Sequence, residues 1–189
     1  MGGEGATTRE EAGLRPIDAL RSALAVLGYL LDGRIHQRRG RVGSTLSAGA
    51  GQRFVVYRET TVETPGGAEG SGGGDYGDER PGAVLAFRFH LRLMPRPIRP
   101  LAVAVFEPLS ILTTPFFAGL PGFRTKLWCF DHASGDYMGV YEWDTAAGAE
   151  RYARSLRRLM EWLSVPGSVA YEVVDDAAVS EYVDARGEA

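Results

Sequence analysis

The sequence predicts an α+β domain in which an antiparallel sheet carries two helices on one face. Three observations lead to this prediction. Along residues 83–175 the apolar pattern alternates between period 2 and period 3.6, in the order strand, helix, strand, strand, helix, strand. A glycine-rich stretch at 63–82 separates this run from the residues before it. The chain has 189 residues, 44% of them hydrophobic, which is enough for one good core but short for two.

Charge and cysteine content exclude several classes of protein. The formal net charge of -3 gives no reason to expect a nucleic acid as partner. Cys129 is the only cysteine, which rules out an intramolecular disulfide framework and a zinc site made of cysteines alone. The longest apolar run has nine residues, where a membrane helix needs about 20, and the acidic start differs from that of a signal peptide. We therefore expect a cytoplasmic protein without a membrane partner.

Residues 1–62 are predicted to form an N-terminal extension with one helix and one strand. At 17–31 leucines recur at i, i+4, i+7 and i+11, the spacing of an amphipathic surface helix. Residues 52–62 are rich in β-branched and aromatic side chains and predict a strand. The stretch 63–82 has hardly an apolar residue and is predicted to be a flexible linker. A phosphate-binding loop is excluded there, because no Gly-Lys-Ser/Thr follows.

The domain at 83–175 is predicted element by element. Its strands are predicted at 83–93, 122–131, 137–143 and 168–174, and its helices at 101–120 and 145–163. The second helix has the clearer signal, with one apolar stripe and an N-cap at Asp144 or Thr145. This order of elements is the ferredoxin-like arrangement. An acidic tail is predicted to follow at 176–189.

Period-2 alternation divides each strand between the two faces of the sheet. On the first strand of the domain, Leu85 and its same-face neighbours are predicted to pack under the helices, while Arg88 and His90 take the opposite face. We expect that second face to be aromatic as well as basic, with Tyr137 and Tyr141 beside Arg88. Since no helix of the domain is left to cover it, a second copy of the chain is predicted to do so, which makes the protein a homodimer; the alternative is that the N-terminal helix at 17–31 covers it.

Two short motifs resemble a known family. Pro-Gly-Phe-x-x-Lys-x-Trp occurs at 121–128 and Gly-x-Tyr at 139–141, and Ala149 and Tyr152 follow on the next helix. This order and spacing resemble the YdhR-like monooxygenases, a branch of the antibiotic-biosynthesis-monooxygenase-like superfamily of dimeric α/β barrels. The resemblance covers residues 83–175, about half of the chain.

The resemblance implies a ferredoxin-like protomer that pairs sheet to sheet with a second copy and holds a pocket between sheet and helices. Some members of the superfamily oxidise polyphenolic or anthrone-like substrates with O2 and no bound metal or flavin; others degrade haem, and several have no established activity. Four residues of this chain match motif positions of the family: Lys126, Trp128, Gly139 and Tyr141. The first 82 residues of the chain have no counterpart in the pattern.

Three basic residues are candidates for catalysis. A neutral His90 could accept a phenolic proton, because the ordinary pKa of histidine is near neutrality. Arg88 on the same face would stabilise the phenolate produced. Lys126 is the only lysine beside 20 arginines, and a compact ammonium there could hold an anionic oxygen. The alternatives are that His90 and Arg88 face solvent or a partner, and that the single lysine arose by chance.

Three aromatic residues are candidates for ligand binding. Trp128, Tyr137 and Tyr141 could form a flat wall against a planar aromatic ligand. Core or interface packing is the alternative for the same residues. His36, His90 and His132 are isolated in the sequence, so no metal site is predicted, and nothing favours a haem on any of them. We expect no cofactor.

Two hypotheses from different classes follow. The protein is either a cofactor-independent oxygenase of a planar aromatic metabolite or a non-catalytic module that binds a ligand or stabilises a partner. A cavity into which His90 or Lys126 points would favour the enzyme, and a pocket filled by the protein's own side chains would favour the module.

Overall fold

The computed structural model describes residues 35–62, 82–92 and 117–187, together with Leu24, Gly28 and Thr114. The strands are β1 (Ile35–Arg38), β2 (Thr45–Ala48), β3 (Gln52–Val62), β4 (Gly82–Phe89), β5 (Phe123–Phe130), β6 (Tyr137–Trp143) and β7 (Ala170–Ala177). The helices are α1 (Ala146–Leu163) and α2 (Val179–Arg186). The helices predicted at 17–31 and 101–120 and the linker predicted at 63–82 lie almost wholly outside these residues. No helix in the described part of the chain is long and apolar enough to cross a membrane.

The described strands form one antiparallel sheet with the strand order of a ferredoxin-like domain. Four of them run β5-β6-β4-β7, so that the first and third strands of the domain lie side by side in the middle. This confirms the predicted fold class. The order requires non-local pairing, since β4 contacts β6 and β7 but not the next strand along the chain.

The N-terminal strands extend the same sheet. β3 occupies the residues predicted to be a strand and pairs with β5 along most of its length. On its other side β3 pairs with β2 through its first half and with β1 through its second. The turn between β1 and β2 is fixed by Arg41, whose guanidinium lies 2.7 Å from the buried carboxylate of Glu59. The sheet therefore has seven described strands, and the extension is part of it.

Local chemistry sets the boundaries of α1 and of the β5–β6 hairpin. Thr145 caps α1, since its hydroxyl accepts a hydrogen bond from the amide of Gly148 at 3.2 Å. In the hairpin, the carboxylate of Asp131 accepts hydrogen bonds from the amide of Ala133 at 2.8 Å and from the hydroxyl of Ser134 at 2.9 Å. Gly135 completes the turn with a φ of 82°, a conformation that favours glycine. These turns hold β6 between β5 and β4 and place α1 against the sheet.

Each face of the sheet packs into its own core. On the side that we call the helix face, α1 packs against β4 and β6, and the buried residues include Leu85, Phe87, Tyr141, Trp143, Tyr152 and Ala153. On the other side, which we call the covered face, residues of β4, β5 and β6 pack against β2, β3 and α2; the buried residues include Leu46, Phe54, Val84, Leu127, Val140, Val179 and Val183. A bridge between Leu46 and Gly187 joins β2 to the end of α2.

The face predicted to be open is covered, and the tyrosines expected on it lie on the other face. Leu85 pairs directly with Tyr141, and residues opposite each other in an antiparallel ladder point to the same face. Tyr137 and Tyr141 therefore lie on the helix face, and the prediction that they share a face with Arg88 is wrong. The segment predicted to be an acidic tail contains α2, which helps to cover the second face. Because β2, β3 and α2 pack on this face, it is not free to pair with a second copy, and dimerisation stays a prediction.

Candidate functional site

A cavity of about 320 Å³ lies between the helix face of the sheet and α1. The sheet contributes mostly aromatic side chains, namely Tyr57, Phe89, Trp128, Tyr137 and Tyr141. The helix contributes mostly aliphatic ones, among them Leu156, Leu159, Met160 and Leu163. Lys126 is the one charged side chain among the described residues of the lining. The volume is in the range of small-molecule sites, and so is the pattern of an apolar lining with few polar groups.

Lys126 lies in an aromatic cage formed by Phe117, Trp128 and Tyr141. Its Nζ atom is 3.0 Å from the ring centroid of Trp128, 4.5 Å from that of Phe117 and 4.7 Å from that of Tyr141. The residue is 5% exposed. No carboxylate among the described residues forms an ion pair with it, so the ring faces are the groups available there to stabilise a positive charge.

Burial lowers the pKa of Lys126 well below its ordinary value, and the nearby charge of Arg58 adds to this. A thiolate at Cys129 would oppose the shift. Burial, however, raises the pKa of Cys129 itself, so the thiol is neutral and provides little countercharge. The ring faces of the cage favour the ammonium, whereas burial away from water favours the neutral amine. The net result is a lowered pKa, with burial as its largest cause.

Two tyrosines beside the amine are proton donors. Tyr141 and Tyr152 pack with their ring centroids 5.2 Å apart. Burial raises the pKa of Tyr141 well above its usual range, and the neighbouring Tyr152 raises it further. Burial raises the pKa of Tyr152 as well. Both phenols are therefore protonated at neutral pH, and neither supplies a negative charge to Lys126.

Gly139 makes room for the cage. A Cβ atom at this position would lie 2.6 Å from Cε2 of Tyr141 and 2.9 Å from its hydroxyl oxygen, which shows that the Tyr141 ring lies over the glycine. Any side chain here would push the ring away from Lys126. This contact gives a physical reason for the Gly-x-Tyr spacing at 139–141.

The N-terminal strands orient Trp128. The indole Nε1–H of Trp128 donates a hydrogen bond to the hydroxyl of Thr60 on β3 at 3.3 Å. That hydroxyl also accepts a hydrogen bond from the side-chain amide of Gln37 on β1 at 3.1 Å. Sequence reasoning did not identify Thr60, because β3 precedes the predicted linker and nothing local indicates that it pairs with β5.

His90 and Arg88 belong to a different cluster. His90 Nδ1 lies 2.6 Å from a carboxylate oxygen of Asp136, and the guanidinium of Arg88 donates to the side-chain oxygen of Gln52 at 2.7 Å. The amide of Gln52 donates to Asp136 and joins the two pairs. Arg88 points to the covered face, where it lines a more polar cavity of about 270 Å³ with Glu172.

The structure thus divides the predicted site residues into two groups. Lys126, Trp128, Tyr137 and Tyr141 line the cavity under α1, and His90 and Arg88 do not. Alternation along β4 sends Arg88 to the covered face, and His90 follows the last residue of that strand. Tyr57 and Phe117 also belong to the site and were not identified from the sequence. Tyr152 belongs to it as well; the sequence placed it on the next helix in the family motif but did not assign it a role in the site.

Neither a protein-family model nor a curated protein matches this chain. Solved structures similar to it include the following three. An uncharacterized ferredoxin-fold protein from Listeria monocytogenes, related to antibiotic biosynthesis monooxygenases, is 11% identical; the match covers 81% of this chain and 88% of that protein, with a TM-score of 0.40. A heme-degrading enzyme from Listeria monocytogenes is 12% identical; the match covers 80% of this chain and 93% of the enzyme, with a TM-score of 0.42. A monooxygenase-like protein from Listeria innocua is 11% identical; the match covers 80% of this chain and 87% of that protein, with a TM-score of 0.39.

Proposed function

We propose that this protein binds a flat, apolar small molecule in the cavity between the sheet and α1. The observation that carries the proposal is the composition of that cavity, about 320 Å³ walled by aromatic rings on one side and aliphatic side chains on the other. Phe89 and Tyr137 stack on each other at 5.7 Å with their planes 15° apart, so part of the aromatic wall consists of parallel rings. A planar ligand would stack on such a wall while the aliphatic side chains exclude water.

Calorimetric titration with 2-naphthol, a flat phenol, tests this proposal. Trp128→Ala is expected to raise the Kd about tenfold, because stacking together with lost burial is worth roughly 1.4 kcal/mol. Leu156→Trp is expected to abolish binding by filling the cavity. Trp162→Ala is the matched control. It makes the same substitution at a tryptophan that is 76% exposed near the end of α1. Undiminished binding in the Leu156→Trp variant would refute the proposal.

A second candidate function is oxidation of a phenolic ligand by O2 without a cofactor, the activity implied by the resemblance to YdhR-like monooxygenases. The amine of Lys126 favours it. A neutral amine in a dry cavity can accept the phenolic proton, and the ammonium formed then stabilises the phenolate. With a hydroxyanthrone, one oxygen atom of O2 would form the new carbonyl, and the other would leave as water with the two hydrogens of the methylene group.

Oxygen uptake with a hydroxyanthrone tests the second candidate. Lys126→Met is expected to lower turnover about 100-fold or more while 2-naphthol still binds, the scale of a lost general base. The sequence suggested His90 as that base, so His90→Ala is the competing variant. Loss of turnover in His90→Ala alone would transfer the role to His90. An absence of oxygen uptake in the wild type would leave the non-catalytic binding module as the function.

Dimerisation also remains part of the proposal. Because β2 and α2 cover the face first expected to pair, a second copy would have to use another surface. Leu159, Trp162 and Val165 form an exposed apolar group around the end of α1. Light scattering at micromolar concentration gives the test, and a monomeric mass would refute dimerisation.

A further inference from the structure

Lys126 differs chemically from every other cation of the chain. Of the 21 lysine and arginine residues, the other 20 are arginines, whose guanidinium does not lose its proton in proteins. The lysine amine can lose its proton and then carries a nucleophilic lone pair. This one amine is 5% exposed and lines the apolar cavity. The chain thus has a single side-chain amine, and it lies where a ligand would bind.

The groups that face this amine favour its neutral form. On β6 the ring of Tyr141 lies beside it, and Tyr152 of α1 packs against that ring; burial keeps both phenols protonated. On β5, Cys129 belongs to the core of the other face and burial keeps it a thiol, and from β3 the charge of Arg58 repels an ammonium. Tyr57 of β3 lines the same cavity. None of these described neighbours offers a negative charge, and burial lowers the pKa of the amine, so both favour the form that carries the lone pair.

We propose that Lys126 reacts with an apolar aldehyde or ketone in the cavity to form a reversible imine. The proposal rests on the proposed binding function, because the carbonyl compound must first enter the cavity. The amine lone pair attacks the carbonyl carbon, and a C–N bond forms while the carbonyl π electrons move to oxygen. That oxygen gains two protons in total, the nitrogen loses two, and water leaves as the C=N bond forms. No oxidant or reductant is needed.

The cage assists this reaction in two ways. The ring centroid of Tyr141 is 4.7 Å from Nζ, and burial keeps its phenol protonated, so an acidic proton lies on the same side of the cavity for the oxygen that leaves as water. When the imine is protonated it becomes an iminium cation, and the ring faces of Trp128 and Phe117 stabilise a cation at this position. The same rings therefore hold the free amine and stabilise its product.

Reductive trapping tests the proposal. The protein is incubated with 2-naphthaldehyde and cyanoborohydride at pH 7, and the products are analysed by intact mass and peptide mapping. One naphthylmethyl group is expected on Lys126, and none on that peptide in Lys126→Met. The matched control is the double variant Lys126→Met with Arg157→Lys, whose only lysine lies on the exposed side of α1, where the Arg157 side chain is 54% exposed. Its trapping is expected to be at least about tenfold slower, because each unit of pKa changes the neutral fraction tenfold.

The outcomes separate the two proposals. 2-Naphthol has a similar flat shape and no carbonyl, so it reports on binding alone. If 2-naphthol binds but Lys126 is trapped no faster than the exposed lysine of the control, the imine is refuted and the binding function stands. If 2-naphthol does not bind and Lys126 is not trapped, the binding function is refuted as well. A thermal melt of Lys126→Met verifies that the variant is folded.

Discussion

Replacing Lys126 by methionine is expected to stabilise the protein at neutral pH. Methionine has a similar length and no charge, so it fills the cage without the cost of burying an amine. Folding lowers the pKa of this amine, and each unit of lowering costs about 1.4 kcal/mol at a pH below the lowered value. Because the pKa falls well below its ordinary value, we expect a gain of at least about 1 kcal/mol in the free energy of unfolding. For a chain of this size that corresponds to an increase in Tm of at least roughly 2–4 °C.

The gain in stability from Lys126→Met is expected to decrease as pH rises. Because the folded-state pKa of Lys126 is lowered, the unfolded chain binds more protons than the folded chain between that pKa and about 10.4. The wild type therefore gains stability as pH rises through this window, by up to about 1.4 kcal/mol per pH unit. The advantage of Lys126→Met is largest at low pH and disappears above about pH 10.4.

Urea unfolding of both proteins at pH 6, 7, 8, 9 and 10 measures this difference. Only the difference is informative, because the raised pKa values of Tyr141, Tyr152 and Cys129 lower the stability of both proteins as pH rises. Arg158→Met is the control for removing an exposed cation from α1, with an expected change within about 0.5 kcal/mol. A Lys126→Met variant that is less stable at pH 7, or whose advantage persists at pH 10, would show that the cage holds a stable ammonium.

Two further predictions concern the residues that support the cage. Gly139→Ala is expected to lower the free energy of unfolding by about 1–3 kcal/mol, because its Cβ would collide with Tyr141. Gly49→Ala is the control in the same urea assay: a Cβ there meets nothing within 4 Å, so the free energy of unfolding is expected to change little. Thr60→Val is expected to lower the free energy of unfolding by about 1–2 kcal/mol and to change the fluorescence of Trp128, because it removes the acceptor of the indole N–H. An unchanged spectrum together with unchanged stability would show that this hydrogen bond does not orient the ring.

Where local chemistry decides the structure, the sequence predicted it well. The strands predicted at 122–131 and 137–143 are observed as Phe123–Phe130 and Tyr137–Trp143, because the turn residues between them are specific to a tight turn. The helix predicted at 145–163 is observed as Ala146–Leu163, with Thr145 as its cap. In each case the residues that set the boundary, the turn residues or the N-cap, lie within a few residues of the strand or helix that they define.

Where pairing between distant segments decides, the sequence was insufficient. Alternation correctly separated Leu85 from Arg88, and Tyr141 from Val140, but it does not say which side of one strand matches which side of another. The register that pairs Leu85 with Tyr141 settles this, and it is a property of two strands. For α2 the buried residues Val179, Tyr182 and Val183 have helical spacing, but the acidic residues among them suggested a tail.

The candidate site combines both kinds of information. Lys126 and Trp128 are two residues apart on one strand, so alternation alone puts them on the same face, and the contrast of one lysine with 20 arginines drew attention to the first. That this face is buried beneath α1 follows only from the assembled sheet. Burial is what changes the chemistry: on an exposed face the same lysine would be an ordinary ammonium, whereas in the cavity its pKa is lowered and it lies within reach of a bound ligand. The reactivity we assign to Lys126 therefore comes from the fold, and the residue type only makes it possible.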